Sequence, residues 1–140
     1  MSIAACTDDG SKDVQSKSKA DAQAAVQTLA AQVAAQAGGE LTNGGFAPAG
    51  CEGSKDSSDT YFMQGTWQIP LAADRHAATA AKLRDSWQAA GWTIKDDRTV
   101  SGGSVLTAVD PDDFYVTLES TAPPKAMSLL IHTPCFKNPA

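Results

Sequence analysis

The chain has 140 residues, enough for one domain with a hydrophobic core and too few for two domains of ordinary size. Its formal net charge is -5 and its lysines and arginines do not cluster, which argues against nucleic acid or an anionic membrane surface as the main partner. No run of residues approaches the roughly 18 apolar residues that would span a bilayer.

The first residues carry a short motif that is typical of exported, lipid-anchored proteins. Bacterial lipoprotein processing needs an aliphatic residue, two small residues and then a cysteine that is alkylated at its thiol, and Ile3-Ala4-Ala5-Cys6 fits this pattern. Met1 and Ser2 precede it without a charged or apolar segment, so we expect that a signal peptide has been removed. The competing interpretation is a chance tetrapeptide in a cytosolic protein.

Residues 7–17 are rich in Asp, Ser, Lys and Gln and have no apolar period, which predicts a disordered tether. We therefore expect a signal remnant and tether over residues 1–17 and a single α+β domain over residues 18–140. A palmitate-containing lipid on Cys6 would hold this domain at the extracytoplasmic face of the cell membrane.

The domain is predicted to begin with a helix over residues 19–37. Ser18 followed by Asp21 resembles a capping box with Asp in the usual Glu position. Gly38-Gly39 marks the end of the helix. We expect its apolar stripe to pack on its own domain rather than on a partner helix, and the stripe consists of Ala22, Val26, Leu29, Val33 and Ala37.

The next segment, residues 41–58, holds several Gly and Pro residues and predicts a loop with a short strand around Phe46. Residues 60–69 predict the first full strand, because apolar and polar residues alternate there until Pro70. Residues 72–90 predict the second helix, which ends at Gly91 and whose apolar stripe consists of His76, Ala80, Leu83 and Trp87.

Four further strands follow, separated by turn residues, over residues 92–100, 104–109, 114–120 and 127–133. The predicted fold class is therefore α+β, with two layers: two helices and a five-stranded, mostly antiparallel sheet. A bond between Cys51 and Cys135 would place the start of the first strand beside the end of the last. The predicted strand order, counted along the chain, is then 2-3-4-5-1.

Cys51 and Cys135 are the cysteines that remain beside Cys6. In an exported chain, two cysteines at the ends of a domain predict one disulfide. The alternative is two free thiols in a reducing cytosol.

The sequence motifs predict no catalytic, metal or cofactor site. His76 and His132 are the only histidines, and neither has a neighbour at metal-ligand spacing. We expect His76 to be buried beside the sheet and His132 to lie at a solvent-facing or edge position. The acidic run 110–113 lacks the spacing of a calcium-binding loop and predicts a hairpin turn.

Aromatic residues could still line a ligand pocket between a curved sheet and a helix. The candidates are Tyr61, Trp67, Trp92 and Tyr115. The competing interpretation places the tryptophans in the core between the helices and the sheet.

A loose family likeness is carried by three parts of the chain. They are residues 83–92, which read Leu-Arg-Asp-Ser-Trp-Gln-Ala-Ala-Gly-Trp, the strands after them, and Thr133-Pro134-Cys135-Phe136. With them, the run from Cys6 to Cys135 resembles a family of small, uncharacterised actinobacterial lipoproteins. The resemblance implies an envelope location and a terminal disulfide, and it carries over no catalytic residue.

We therefore expect a non-enzymatic lipoprotein of the cell envelope that acts by protein interaction or as an accessory to an envelope system. Its expected partners are the membrane, through the N-terminal lipid, and an envelope protein. The alternative is a binding module for a small apolar or lipidic ligand. An enzyme ranks third, because no acid, base and nucleophile can be combined from the sequence.

Overall fold

The computed structural model describes residues 15–51, 59–100 and 103–139. Two helices pack on one face of a seven-stranded sheet. A 3₁₀ turn, Ala73–Arg75, leads into the second helix. In chain order the elements are α1 (Lys19–Ala37), β1 (Thr42–Gly50), β2 (Thr60–Pro70), α2 (His76–Ala89), β3 (Thr93–Val100), β4 (Gly103–Val109), β5 (Tyr115–Ser120), β6 (Ala126–His132) and β7 (Phe136–Lys137).

The sheet is antiparallel throughout these strands. Its order is β1-β2-β6-β5-β4-β3, and the short strand β7 pairs with the start of β2 at Thr60 and Tyr61. Strands β1 and β3 are therefore the two edges, and β2, β6, β5 and β4 lie inside the sheet.

The prediction of a five-stranded sheet in the order 2-3-4-5-1 is wrong, because the sheet has seven strands. The segment predicted as a loop with a short strand around Phe46 contains the longer edge strand β1, which pairs with β2 from Thr42 opposite Gln68 to Gly50 opposite Tyr61. Because of its Gly and Pro residues, this segment lacks the alternation of apolar and polar side chains that predicts a strand. An edge position tolerates Pro48, which has no N–H to donate to a second neighbour. Strand β7 has only two residues and leaves no periodic signal.

Helix α1 has the bounds predicted from the sequence. The Ser18 hydroxyl accepts a hydrogen bond from the Asp21 N–H at 3.0 Å, and Gly38 ends the helix with a φ of 81°. The predicted apolar stripe is buried. Helix α2 begins later than predicted, at His76, because no side chain caps its start and residues 73–75 form the 3₁₀ turn instead.

The core lies between the helices and one face of the sheet. Helix α1 packs on β2 and β6, whereas α2 packs on β3 and β4. Gly65 permits close approach of α1, since a Cβ there would lie 2.8 Å from Val26 Cγ1. The two helices are linked where the Trp87 Nε1–H donates a hydrogen bond to Gln36 Oε1 at 3.2 Å. The opposite face of the sheet carries no helix in the described part of the chain.

The first described residues, 15–17, lie at the end of the sheet where β7 pairs with β2. The Lys17 N–H donates to the Lys137 carbonyl at 3.1 Å, and the Lys137 N–H donates to the Gln15 carbonyl at 2.9 Å. The Tyr61 hydroxyl donates a further hydrogen bond to the Lys17 carbonyl. Residues 15–17 are thus joined to β7 and β2, while Cys6 and residues 7–14 lie outside the described residues, so the lipid attachment and the tether stay predictions.

A disulfide joins Cys51, just after β1, to Cys135, between β6 and β7, with a Cα–Cα distance of 6.2 Å. These are the two cysteines for which the sequence predicted a bond. The disulfide closes the same end of the sheet at which residues 15–17 pair with Lys137. Within the described ranges, neither helix is long and apolar enough to cross a membrane.

Candidate functional site

A cleft of about 610 Å³ lies on the helix-free face of the sheet, near the end closed by the disulfide. Both apolar and polar side chains line it, and they come from β2, β3, β4, the start of β5 and the end of β6. Its lining residues are Phe62, Gln64, Thr93, Lys95, Val109, Asp113, Tyr115, His132, Thr133, Pro134 and Cys135.

The floor of the cleft is one transverse row of residues across five strands. In this row Gln64 lies opposite His132, His132 opposite Tyr115, Tyr115 opposite Val109, and Val109 opposite Thr93. Because side chains of paired residues project from the same face of a sheet, the strand register itself brings these groups together.

Aromatic rings form the centre of the row. The Tyr115 and His132 rings stack with their centroids 4.8 Å apart and their planes 9° apart, and the Phe62 ring meets His132 edge-on at 5.6 Å. The stacking distance equals the usual spacing between strands of about 4.8 Å, so the second face of Tyr115 is turned towards Val109. Tyr115 is 38% exposed, and among the described residues it is the large hydrophobic side chain that is exposed.

The His132 ring is held by its own strand end. Its Nδ1–H donates a hydrogen bond to the Thr133 carbonyl at 3.2 Å, which leaves Nε2 as an acceptor in the neutral ring. Thr133 is fixed in turn, since its hydroxyl accepts the Met63 N–H at 2.9 Å and donates to the Pro134 carbonyl at 2.7 Å. The rim at residues 133–135 is therefore anchored to β2.

Two opposite charges flank the row. Lys95 is the extra residue of a bulge in β3, because the pairing passes from Ile94 opposite Ala108 to Asp96 opposite Thr107. Asp113 lies in the turn before β5 with a φ of 67°. Among the described residues, the side chains of Lys95, Asp113 and Gln64 make no hydrogen bond or ion pair, so their polar groups are available to a ligand.

The turn beside the cleft contains a carboxyl group with a shifted pKa. Burial raises the pKa of Asp110 above its ordinary value, two backbone N–H donors at Asp112 and Phe114 oppose this rise, and the charges of Asp112 and Asp113 add to it. The folded state therefore binds the Asp110 proton more tightly than the unfolded state does. Ionisation of Asp110 thus costs stability above the raised pKa, and this cost disappears as the pH falls below the ordinary Asp value of about 3.9.

We expect Asp110→Asn to be more stable than the wild type at pH 7, because the amide oxygen keeps both backbone hydrogen bonds without a half-buried charge. The difference should close as the pH falls towards 3. Urea unfolding at the two pH values measures it. Asp110→Ala is the control and should be destabilised at both, since it loses the acceptor. A less stable Asp110→Asn at pH 7 would contradict this interpretation.

The four residues predicted to line a pocket do not come together. Tyr61 is fully buried under α1, and Trp67 is buried with its ring edge-on to Phe46 at 5.4 Å. Trp92 stacks on Trp87 with a centroid distance of 4.5 Å. Tyr115 alone of the four lines the cleft, and it lies on the face opposite the helices.

Phe62, Gln64 and His132 line the cleft but were absent from the predicted pocket. The alternation over residues 60–69 puts Gln64 on the polar side of its strand, and His132 was expected at a solvent-facing or edge position. The sequence therefore contained the signal for a shared outer face. It did not contain the strand register that places these residues in one row with Tyr115.

His76 is buried, as predicted, and both of its ring nitrogens make hydrogen bonds within the protein. Its Nε2–H donates to the Leu71 carbonyl at 2.8 Å, so Nδ1 accepts the Ser120 hydroxyl at 2.7 Å, and the Ser120 oxygen accepts the Ser104 N–H at 2.9 Å. This Ser–His pair resembles a nucleophile and base, but His76 is only 2% exposed and does not line the cleft. No group of three or more potential metal ligands occurs within the described ranges.

Two helices on one face of an antiparallel sheet define a two-layer α+β fold. No protein-family model and no curated protein matches the chain. The chain is similar in fold to a solved structure described as the "putative lipoprotein LppA from Mycobacterium tuberculosis". The two share a TM-score of 0.53 and 14% sequence identity, over 84% of this chain and 78% of that chain. At this identity the likeness is one of fold alone.

Proposed function

We propose that this protein is a lipoprotein of the cell envelope that works without catalysis, as a binding module whose contact surface is the cleft face of the sheet. The Ile3-Ala4-Ala5-Cys6 motif supports the anchoring part of the proposal. The fold shared with a protein described as a lipoprotein is consistent with it.

The observation that carries the binding part is the row of side chains in the cleft. Tyr115 is 38% exposed, and Gln64, Lys95 and Asp113 keep their polar groups free of other described residues. Exposed aromatic and polar groups that converge in a concave site on rigid strands are typical of recognition surfaces. An envelope protein or another component of an envelope system is the proposed partner.

The second candidate is a module for a small ligand, and the three adjacent rings of Phe62, His132 and Tyr115 favour it. We place such a ligand in the cleft rather than between helix and sheet, where Tyr61 and Trp67 are packed into the core.

Anchoring is tested by expressing the gene with its native start in an actinobacterial host and separating membrane from soluble fractions. We expect the protein in the membrane fraction with globomycin-sensitive processing, and in the soluble fraction for Cys6→Ala. Ser11→Ala, outside the motif, is the matched control and should fractionate like the wild type. A cytosolic wild-type product, or membrane association that survives Cys6→Ala, would rule the proposal out.

A further inference from the structure

We propose that the cleft binds an uncharged sugar ring of an envelope glycan, with the free face of Tyr115 as its stacking platform. This inference rests on the proposed function, because it names the class of ligand for the same cleft.

The slot beside Tyr115 fits a flat ring. One face of the Tyr115 ring is covered by His132, and the other is turned towards the smaller side chain of Val109. Thr93, beyond Val109 on the edge strand β3, forms the far side of this slot. The C–H bonds of a sugar ring carry partial positive charge, and the face of an aromatic ring is negative, so the two attract when stacked.

The polar groups around the slot suit hydroxyl groups. Thr93 and Lys95 on β3 lie on the side of the free Tyr115 face, and Asp113 lies in the turn before Tyr115, so this side offers donors and acceptors. The Gln64 amide and the Nε2 atom of a neutral His132 lie beyond the covered face. A sugar presents several adjacent hydroxyls that each donate and accept. A ring held against the free face of Tyr115 could therefore bond Thr93, Lys95 and Asp113, and an adjacent sugar of the same glycan could bond Gln64 and His132.

The charge and polarity of the cleft distinguish this ligand from others. Lys95 and Asp113 balance each other, so the lining selects neither an anion nor a cation. A nucleotide would bring phosphate charge to a chain with a net charge of -5, and a fatty acyl chain needs a closed, apolar site. A zwitterionic amino acid could pair with both charges, but such partly exposed pairs contribute little.

The test titrates the folded, disulfide-bonded protein with soluble neutral trisaccharides of glucose, mannose, galactose and N-acetylglucosamine. Binding is followed by NMR through the ring signals of Tyr115 and His132. We expect at least one trisaccharide to move both signals saturably. Tyr115→Ala should then bind about tenfold more weakly, and Tyr115→Phe within about threefold of the wild type, because the ring rather than the hydroxyl stacks. Gln64→Ala should also weaken binding.

Glu119→Gln is the matched control, because it lies on the same strand and face as Tyr115 but outside the cleft lining, and it should bind like the wild type. The inference is overturned if no trisaccharide moves these signals, if Tyr115→Ala binds as tightly as the wild type, or if only free amino acids and dipeptides bind. If it fails while a Tyr115-dependent contact with an envelope protein persists in cells, the proposed function stands and only the sugar is excluded.

Discussion

Replacement of both Cys51 and Cys135 by serine is expected to lower the free energy of unfolding by about 2–5 kcal/mol. The disulfide links positions separated by 84 residues, and in the chain-entropy model a loop of this length corresponds to about 4.5 kcal/mol of constraint on the unfolded chain. The bond also ties the edge strand β1, which carries few buried residues, to the segment between β6 and β7.

Urea unfolding of the oxidised wild type and of the double variant measures this loss. Cys6→Ser is the matched control, since it removes the cysteine that takes no part in the bond, and it should unfold like the wild type. A double variant with the midpoint of the wild type would show that the disulfide does not stabilise the domain. Because Cys135 lines the cleft, we also expect the NMR signals of Tyr115 and His132 to broaden in the double variant.

Replacement of His76 by alanine is expected to cost about 2–4 kcal/mol, for two reasons. It opens a cavity beneath the sheet, and it leaves the Leu71 carbonyl and the Ser120 hydroxyl without their buried partner. Each unsatisfied group costs about 1–3 kcal/mol, and partial relaxation of the site keeps the total below the sum.

A double-mutant cycle of His76→Ala with Ser120→Ala separates the two contributions. We expect a coupling of about 0.5–2 kcal/mol, because the two side chains share one hydrogen bond. His132→Ala is the matched control: this histidine lies on the open face, and its loss should cost less than about 1 kcal/mol. If His76→Ala is no less stable than His132→Ala, the structural role of His76 is wrong.

The helices and the inner strands were predictable because their residues carry periodic signals that depend on local geometry alone. Ser18 and Gly38 mark the ends of α1, and its buried stripe has the expected spacing. Strand β2 shows a clear alternation of buried and more exposed positions, which includes the buried Tyr61 and Trp67. Such patterns arise because each helix or strand turns one face towards the core.

Of the edge strand β1, only a short strand around Phe46 was predicted, since β1 buries little and is held by backbone hydrogen bonds to β2 that every residue except proline can make. The cleft escaped prediction for a related reason. Its row joins Gln64 on β2 to His132 and Tyr115 on the consecutive strands β6 and β5, which follow much later in the chain, and the alignment depends on the register of all three strands. The predicted pocket instead selected aromatic residues by type and thereby mixed the two faces of the sheet.

The central claim is that the cleft is the binding surface of a membrane-anchored protein, and photo-cross-linking in intact cells tests it most directly. A photoreactive phenylalanine analogue is placed at Phe62 in the cleft, where it replaces an aromatic ring, or at Gln23, an exposed position on α1, as the matched control. We expect a discrete cross-linked product in the membrane fraction from the cleft position alone, and its loss when Tyr115→Ala is added. Equal products from both positions, no product from the cleft, or a product that survives Tyr115→Ala would contradict the claim.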